Sequence, residues 1–133
     1  MSYLPVYCDA CLRASLAPLL PDSAEQPYRC GFCEGSARVV PGPTYGEGDW
    51  LAFAEIDGAL FDADIDGMQA QTLLAELDSL RDQGTGTSAA VEFLLGKLPQ
   101  LSNAKGALAV GWSRGLGMLQ TLLIARTRDG RVT

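Results

Sequence analysis

Four cysteines, Cys8 and Cys11 in CDAC and Cys30 and Cys33 in CGFC, are all the cysteine the chain contains, and eighteen residues separate the pairs. Each Cys-x-x-Cys step bends the backbone so that both sulfurs face one side. Two such steps brought together make the tetrahedral four-thiolate set that structural zinc prefers. A segment of this size buries too little apolar surface to fold unaided, so a metal staple would supply much of its folding free energy. Two disulfides, a thiol–disulfide exchange site and iron on the same thiolates are the competing readings. A cytoplasmic setting opposes disulfides, and a redox Cys-x-x-Cys usually stands at a helix N-terminus after a strand, where one pair suffices. Zinc is the expected ion. With four protein thiolates around it, no position is open for water or substrate, so its expected role is structural.

The second pair, CGFCEG, suits a metal knuckle better than the first. Gly31 relieves crowding where amides turn toward sulfur, and Gly35 is expected to take a positive-φ position two residues past Cys33. The first pair has no glycine after Cys11 and leads into LRASLAPLL, read as a short helix or turn before Pro18 and Pro21. With Tyr7 before one pair and Tyr28 and Arg29 before the other, residues 3–40 resemble the zinc-ribbon and rubredoxin-like class. That resemblance implies knuckles at the tips of short β-hairpins, with Cys8, Cys11, Cys30 and Cys33 as ligands. It implies metal-stabilised folding without assigning an activity, since such modules serve in nucleic-acid, enzyme and scaffold proteins alike.

The chain has no histidine. Triads that use an imidazole base, His-Glu zinc hydrolase sites and histidine proton shuttles are therefore excluded, although Lys, Asp or Glu can still act as a base. The net charge of −6 is uneven. Residues 1–40 carry −1, residues 41–83 carry −9 with Arg81 as the one cation, and residues 84–133 carry +4. An acidic and a basic face for different partners, or simple self-neutralisation on folding, would each follow from this. Nonspecific nucleic-acid binding needs clustered Lys and Arg, and the chain is poor in them.

The opening MSYLPVYCDAC lacks the basic start and apolar run of a secretory signal, so the cytoplasm is the expected location. The stretch 107–125 has spanning length, but Arg114 and Gln120 lie within it and glycines interrupt it, which argues against a membrane span.

Residues 41–49, PGPTYGEGD, read as a turn-rich linker. In WLAFAEIDGALFDADI, 50–65, Asp57-Gly58 matches the two-residue turn of a β-hairpin. Asp62, Asp64, Asp66 and Gly67 match the start of a calcium loop, but Leu73 stands where its bidentate Glu belongs, so Asp66 is read instead as a helix cap. The spacing predicts a helix over 67–82, with Met68, Leu73, Leu74, Leu77 and Leu80 forming its apolar stripe. A second helix is expected from a Thr87 or Ser88 cap to Pro99, with Val91, Leu94, Leu95 and Leu98 inward, making an αα-hairpin with the first. Beyond it, 106–112 reads as a strand, 121–126 as a strand or part of a helix over 115–128, and Asp129-Gly130 as another turn. The expected architecture is α+β: a four-cysteine zinc ribbon over 1–40, a linker over 41–49, and a small α+β domain over 50–133 with a β-hairpin and two or three helices.

Gly115-Leu116-Gly117 matches neither a phosphate loop nor a dinucleotide fingerprint. Arg114 beside it is a possible anion contact, and Trp50 and Trp112 are possible interface anchors. The leading expectation is a small zinc-binding adaptor or regulatory protein with a protein partner or a second copy of itself, no catalytic residue and no membrane association. The alternatives are a nucleic-acid-binding ribbon presenting Arg13, Tyr28, Arg29, Arg38, Arg126, Arg128 and Arg131, and a small enzyme using the acidic residues near 47–66.

Overall fold

A computed structural model describes residues 2–18 and 28–127. Four strands, β1 (Tyr3–Cys8), β2 (Arg13–Pro18), β3 (Tyr28–Arg29) and β4 (Ser36–Val39), form an antiparallel sheet in the order β2-β1-β4-β3. β1 and β2 pair from Tyr3↔Pro18 to Cys8↔Arg13. The segment LRASLAP that follows Cys11 is thus a strand rather than a helix or turn. Alternation explains this: Ala14 and Leu16 are buried in the core cluster, while Arg13 and Ser15 are half-buried between them.

Five helices follow among the described residues: α1 (Trp50–Ala63), α2 (Gly67–Asp82), α3 (Thr87–Lys97), α4 (Lys105–Leu108) and α5 (Gly115–Thr127), with a 3-10 turn at Pro99–Ala104. The architecture is α+β with a β-hairpin region first and helices after, but the β-hairpin expected at 50–65 and the count of two or three helices are both overturned. Residues 50–63 are one helix. Its apolar residues Phe53, Ile56, Ala59 and Leu60 recur at three- and four-residue spacing and are all buried, and alanine, leucine and glutamate supply high helix propensity. The Asp57-Gly58 turn signal yields to that pattern because Asp57 has buried partners, described below. Asp64, in the left-handed conformation (φ 51°), ends the helix.

α2 has the predicted limits. Asp66 Oδ1 accepts the Gln69 N–H at 2.8 Å, and Gln69 Oε1 accepts the Asp66 N–H at 3.0 Å, a reciprocal cap. Gly84 takes a positive φ of 72° just past the C-terminus, where glycine escapes the Cβ clash. The buried face is Ala70, Leu73 and Leu77, whereas Met68 is exposed. α3 starts from Gly86 rather than from a Thr87 or Ser88 side-chain cap, and Pro99 follows its end. α2 packs chiefly on α5 and only slightly on α3, so an αα-hairpin does not describe the pair.

The expected strand at 106–112 is instead the short helix α4 and a turn; only Val110 there is β-branched, and Ala and Gly favour no strand. α5 is the most buried helix, with Leu116, Met118, Leu119, Leu122, Leu123 and Ala125 inside. It meets the sheet through Arg38, whose Nη2 donates to the Ala125 carbonyl at 2.7 Å, and through the 3.0 Å hydrogen bond between the Tyr45 and Thr121 hydroxyls. Tyr45 lies within 41–49 and pairs with Tyr3 at the end of β1. One cluster of buried side chains accordingly joins Tyr3, Tyr7, Leu16 and Val40 to the helices. The Asp129-Gly130 turn, Pro21, Arg128 and Arg131 lie outside the described residues.

Candidate metal centre

Cys8 ends β1 and Cys11 lies in the turn to β2, while the turn between β3 and β4 carries Cys30 and Cys33. Both knuckles therefore sit at hairpin tips, and the β1–β4 pairing sets them side by side. In each turn one residue takes the left-handed conformation directly after the second cysteine: Leu12 and Glu34, both with φ 62°. This corrects the expectation that Gly35 holds the positive φ. A non-glycine residue there is strained by about 1–2 kcal/mol.

The four Sγ atoms lie within 4.8 Å of one another, with Cys11–Cys30 at 3.3 Å and Cys8–Cys33 at 3.5 Å. A tetrahedron with Zn–S bonds of about 2.3 Å has edges of about 3.8 Å, so these separations bracket the expected cage. Both of these contacts run between the knuckles, so the two pairs share one site. Cys8 and Cys30 are buried, Cys11 is half-buried and Cys33 faces solvent.

Each sulfur receives a backbone N–H from two residues ahead. Ala10 serves Cys8, Arg13 serves Cys11, Phe32 serves Cys30 at 3.3 Å, and Gly35 serves Cys33. Such donors favour thiolates. Crowding opposes them. Burial raises the Cys8 thiol, but the Cys11 N–H, the Cys33 sulfur and the Ala10 N–H bring it down to about 7. Burial, followed by the Cys30 and Cys8 sulfurs, pushes Cys11 up to about 12. At Cys33 the Gly35 N–H acts to lower the thiol, yet Cys8 and Cys30 leave it above its ordinary value. Ionising one sulfur disfavours ionising its neighbours. A divalent cation among them removes that conflict, so the donor set suits a soft or borderline metal. The site is a four-cysteine cluster near metal-binding geometry, consistent with a zinc-ribbon or rubredoxin-like module.

Among the described residues no other group of three or more Cys, Asp or Glu side chains could hold a metal, and Asp62, Asp64 and Asp66 do not converge. Trp50 is about half exposed and stacks edge-on against Tyr3 at 5.4 Å. Trp112 is half-buried, and its Nε1 donates to the Thr85 carbonyl at 2.9 Å. Arg114 pairs with Asp49. These three residues are not brought to the cage.

Sequence reasoning missed Asp57. Its carboxylate is 0% exposed. Oδ2 accepts Arg13 Nε at 2.6 Å, and Oδ1 accepts Arg126 Nη2 at 2.8 Å and the Ala14 N–H at 3.1 Å. Arg126, itself 1% exposed, lies 5.5 Å from the Tyr7 ring centroid, and its Nη2 reaches the Leu12 carbonyl at 3.5 Å. The Arg13 guanidinium lies between Phe32 and Phe61, 4.2 and 4.9 Å from their centroids. Reading 50–63 with helical spacing would have exposed the signal, because Asp57 then falls beside Ile56 and Leu60 on the buried face.

No family model, curated protein or solved structure matches the chain. No helix among the described residues is long and apolar enough to cross a membrane.

Proposed function

We propose that the protein is a small cytoplasmic zinc-binding adaptor or regulatory protein, in which zinc is structural and the work is done by binding another protein. The observation that carries this reading is the donor set: four cysteine sulfurs converge, no further Cys, Asp or Glu joins them among the described residues, and four thiolates on one zinc would fill its tetrahedral positions.

The interaction half is supported by apolar side chains left outside around the first turns of α1. Trp50 and Phe32 flank a cleft of about 230 Å³ lined by Ala14, Leu16, Phe53 and Ala54. Leu51, 73% exposed, and Val110 flank a second of about 210 Å³ floored by Ala107 and Met118. Exposed apolar surface flanking clefts is a usual mark of protein contact. The arginines favour a protein partner over nucleic acid. Arg13 and Arg126 converge on Asp57, Arg38 pairs with Asp9 and the Ala125 carbonyl, and Arg114 pairs with Asp49, so their charge is largely satisfied within the fold.

The test compares wild type with Leu51→Asp and Trp50→Ala in sedimentation and in co-purification from the native cell. A specific protein or second copy retained by wild type and lost from both variants supports the reading. Equal retention by all three, or binding to single-stranded or duplex DNA that weakens steeply with salt, contradicts it.

A further inference from the structure

The two knuckles are held differently. After Cys11, three consecutive residues are tied to the helical body: the Leu12 carbonyl accepts Arg126, Arg13 Nε donates to Asp57, and the Ala14 N–H donates to the same carboxylate. Arg13 also turns its backbone N–H to the Cys11 sulfur, so one residue joins a ligand to α1 directly. The knuckle around Cys33 has no comparable anchor among the described residues. Its ties include an exposed 3.2 Å bond from Arg29 to the Glu34 carbonyl, a 3.4 Å bond from the Gly31 N–H to Ser15 Oγ and the Phe32 ring against Arg13, while the hairpin's hydrogen bond to α5, from Arg38 to the Ala125 carbonyl, lies five residues past Cys33.

We propose that Asp57 is a positioning residue for the metal centre: with Arg126 it holds the Cys8–Cys11 knuckle in its ligating shape before metal arrives, making it a preformed half-site onto which Cys30 and Cys33 close. The inference rests on the cage holding zinc. The physical ground is the burial of Asp57 and Arg126. A carboxylate removed from water needs all its partners, and two guanidinium groups and a backbone N–H supply them at fixed positions. A segment fixed by the folded helices adopts the strained left-handed Leu12 conformation without drawing on metal-binding energy, which preorganises the ligands. Groups that orient metal ligands from behind typically contribute ten- to a hundredfold in affinity.

The test measures zinc affinity by competition with a chromogenic chelator, and amide exchange with and without zinc. Wild type is compared with Asp57→Asn, Arg13→Gln, Arg13→Lys and Leu94→Ala. Leu94 lies in the core on α3 away from both knuckles and serves as a control for destabilisation alone. Arg13→Gln keeps the pairing of Asp57 with Arg126 and so remains informative if Asp57→Asn does not fold. The expected result is affinity lowered about tenfold or more in Arg13→Gln and Asp57→Asn, partly restored in Arg13→Lys and unchanged in Leu94→Ala. In zinc-free wild type, amides 10–14 stay protected while 31–35 exchange freely, and the Arg13→Gln variant loses that difference. Wild-type affinity in Arg13→Gln, or equal loss of protection in both knuckles of zinc-free wild type, overturns the inference alone. A wild-type chain that takes up no zinc overturns the proposed function with it.

Discussion

Gly115 begins α5 directly against the carbonyl oxygen of Ala107. A Cβ at Gly115 would overlap that oxygen and stand 2.8 Å from the Leu108 carbonyl. This contact brings α4 onto the most buried helix of the fold. Both obstacles are backbone atoms, so no side chain can rotate aside to admit a methyl group. Gly115→Ala is expected to destabilise the protein by about 3 kcal/mol. Gly96, exposed on α3 with nothing within 4 Å of its would-be Cβ, provides the contrast. There Gly→Ala is expected to stabilise by about 0.5–1 kcal/mol. Urea midpoints of the two variants against wild type check both signs.

The knuckle strain is separately testable at Glu34, which is exposed and left-handed with φ 62°. Its ties are main-chain, its carbonyl accepting from Arg29 and its N–H donating to the Cys30 carbonyl, each at 3.2 Å, and substitution preserves both. Glu34→Gly removes the Cβ clash and is expected to be neutral or stabilising by up to about 1 kcal/mol, after the greater chain entropy of glycine is set against it. Glu34→Val places a β-branched side chain in the same conformation and is expected to destabilise by about 1–2 kcal/mol. Thermal unfolding of the zinc-loaded protein gives the comparison. Equal melting temperatures for the two variants would contradict the strained backbone.

What the sequence revealed and what it hid follow from the range of the interactions involved. The cage was legible because its signal is spacing and residue type alone: two Cys-x-x-Cys steps on hairpin tips converge in almost any ribbon. α2 was legible because its cap, Asp66 with Gln69, and its stop at Gly84 are local. α1 was hidden because a strong local turn signal, Asp57-Gly58, competes with the helical recurrence of Phe53, Ile56 and Leu60. What decides between them is distant in the chain: Asp57 gains Arg13 and Arg126, 44 and 69 residues away. α5 was ambiguous for the opposite reason. It is apolar on nearly every side because it is buried on nearly every side, so it shows no amphipathic period. The left-handed residue after Cys33 was misassigned because glycine preference pointed to Gly35, whereas the conformation falls one position earlier, on Glu34, as it falls on Leu12 after Cys11.

Asp49 links α1 to the turn before α5 and gives the fold a defined acid response. Burial acts to raise its carboxyl, but the Gly46 N–H and then the Arg114 guanidinium outweigh it and hold the group below its ordinary 3.8. A carboxyl depressed in the folded state contributes stability that is fully present above the unfolded value and is lost as pH falls through the folded one. Its contribution is therefore constant at neutral pH, begins to fall below about pH 4 and is gone once pH drops below the depressed folded value. Arg114→Gln is expected to move the acid-unfolding midpoint to higher pH and to make it less sensitive to salt, since the pair is partly solvent-exposed. Circular dichroism followed from pH 7 to pH 2 at two salt concentrations measures this. Superimposable curves for variant and wild type would remove Arg114 from the account.

Closure of the four cysteine sulfurs around one ion, as proposed, is read directly by cobalt substitution followed by absorption spectroscopy. Protein prepared under reducing conditions is expected to bind one Co2+ per chain, with the intense d–d and sulfur-to-metal charge-transfer bands of a tetrahedral four-thiolate site. Equimolar zinc should displace the cobalt, and Cys11→Ser should weaken the charge-transfer bands. A natively folded protein that binds no cobalt, or one whose spectrum shows fewer than four sulfur ligands, would contradict the claim.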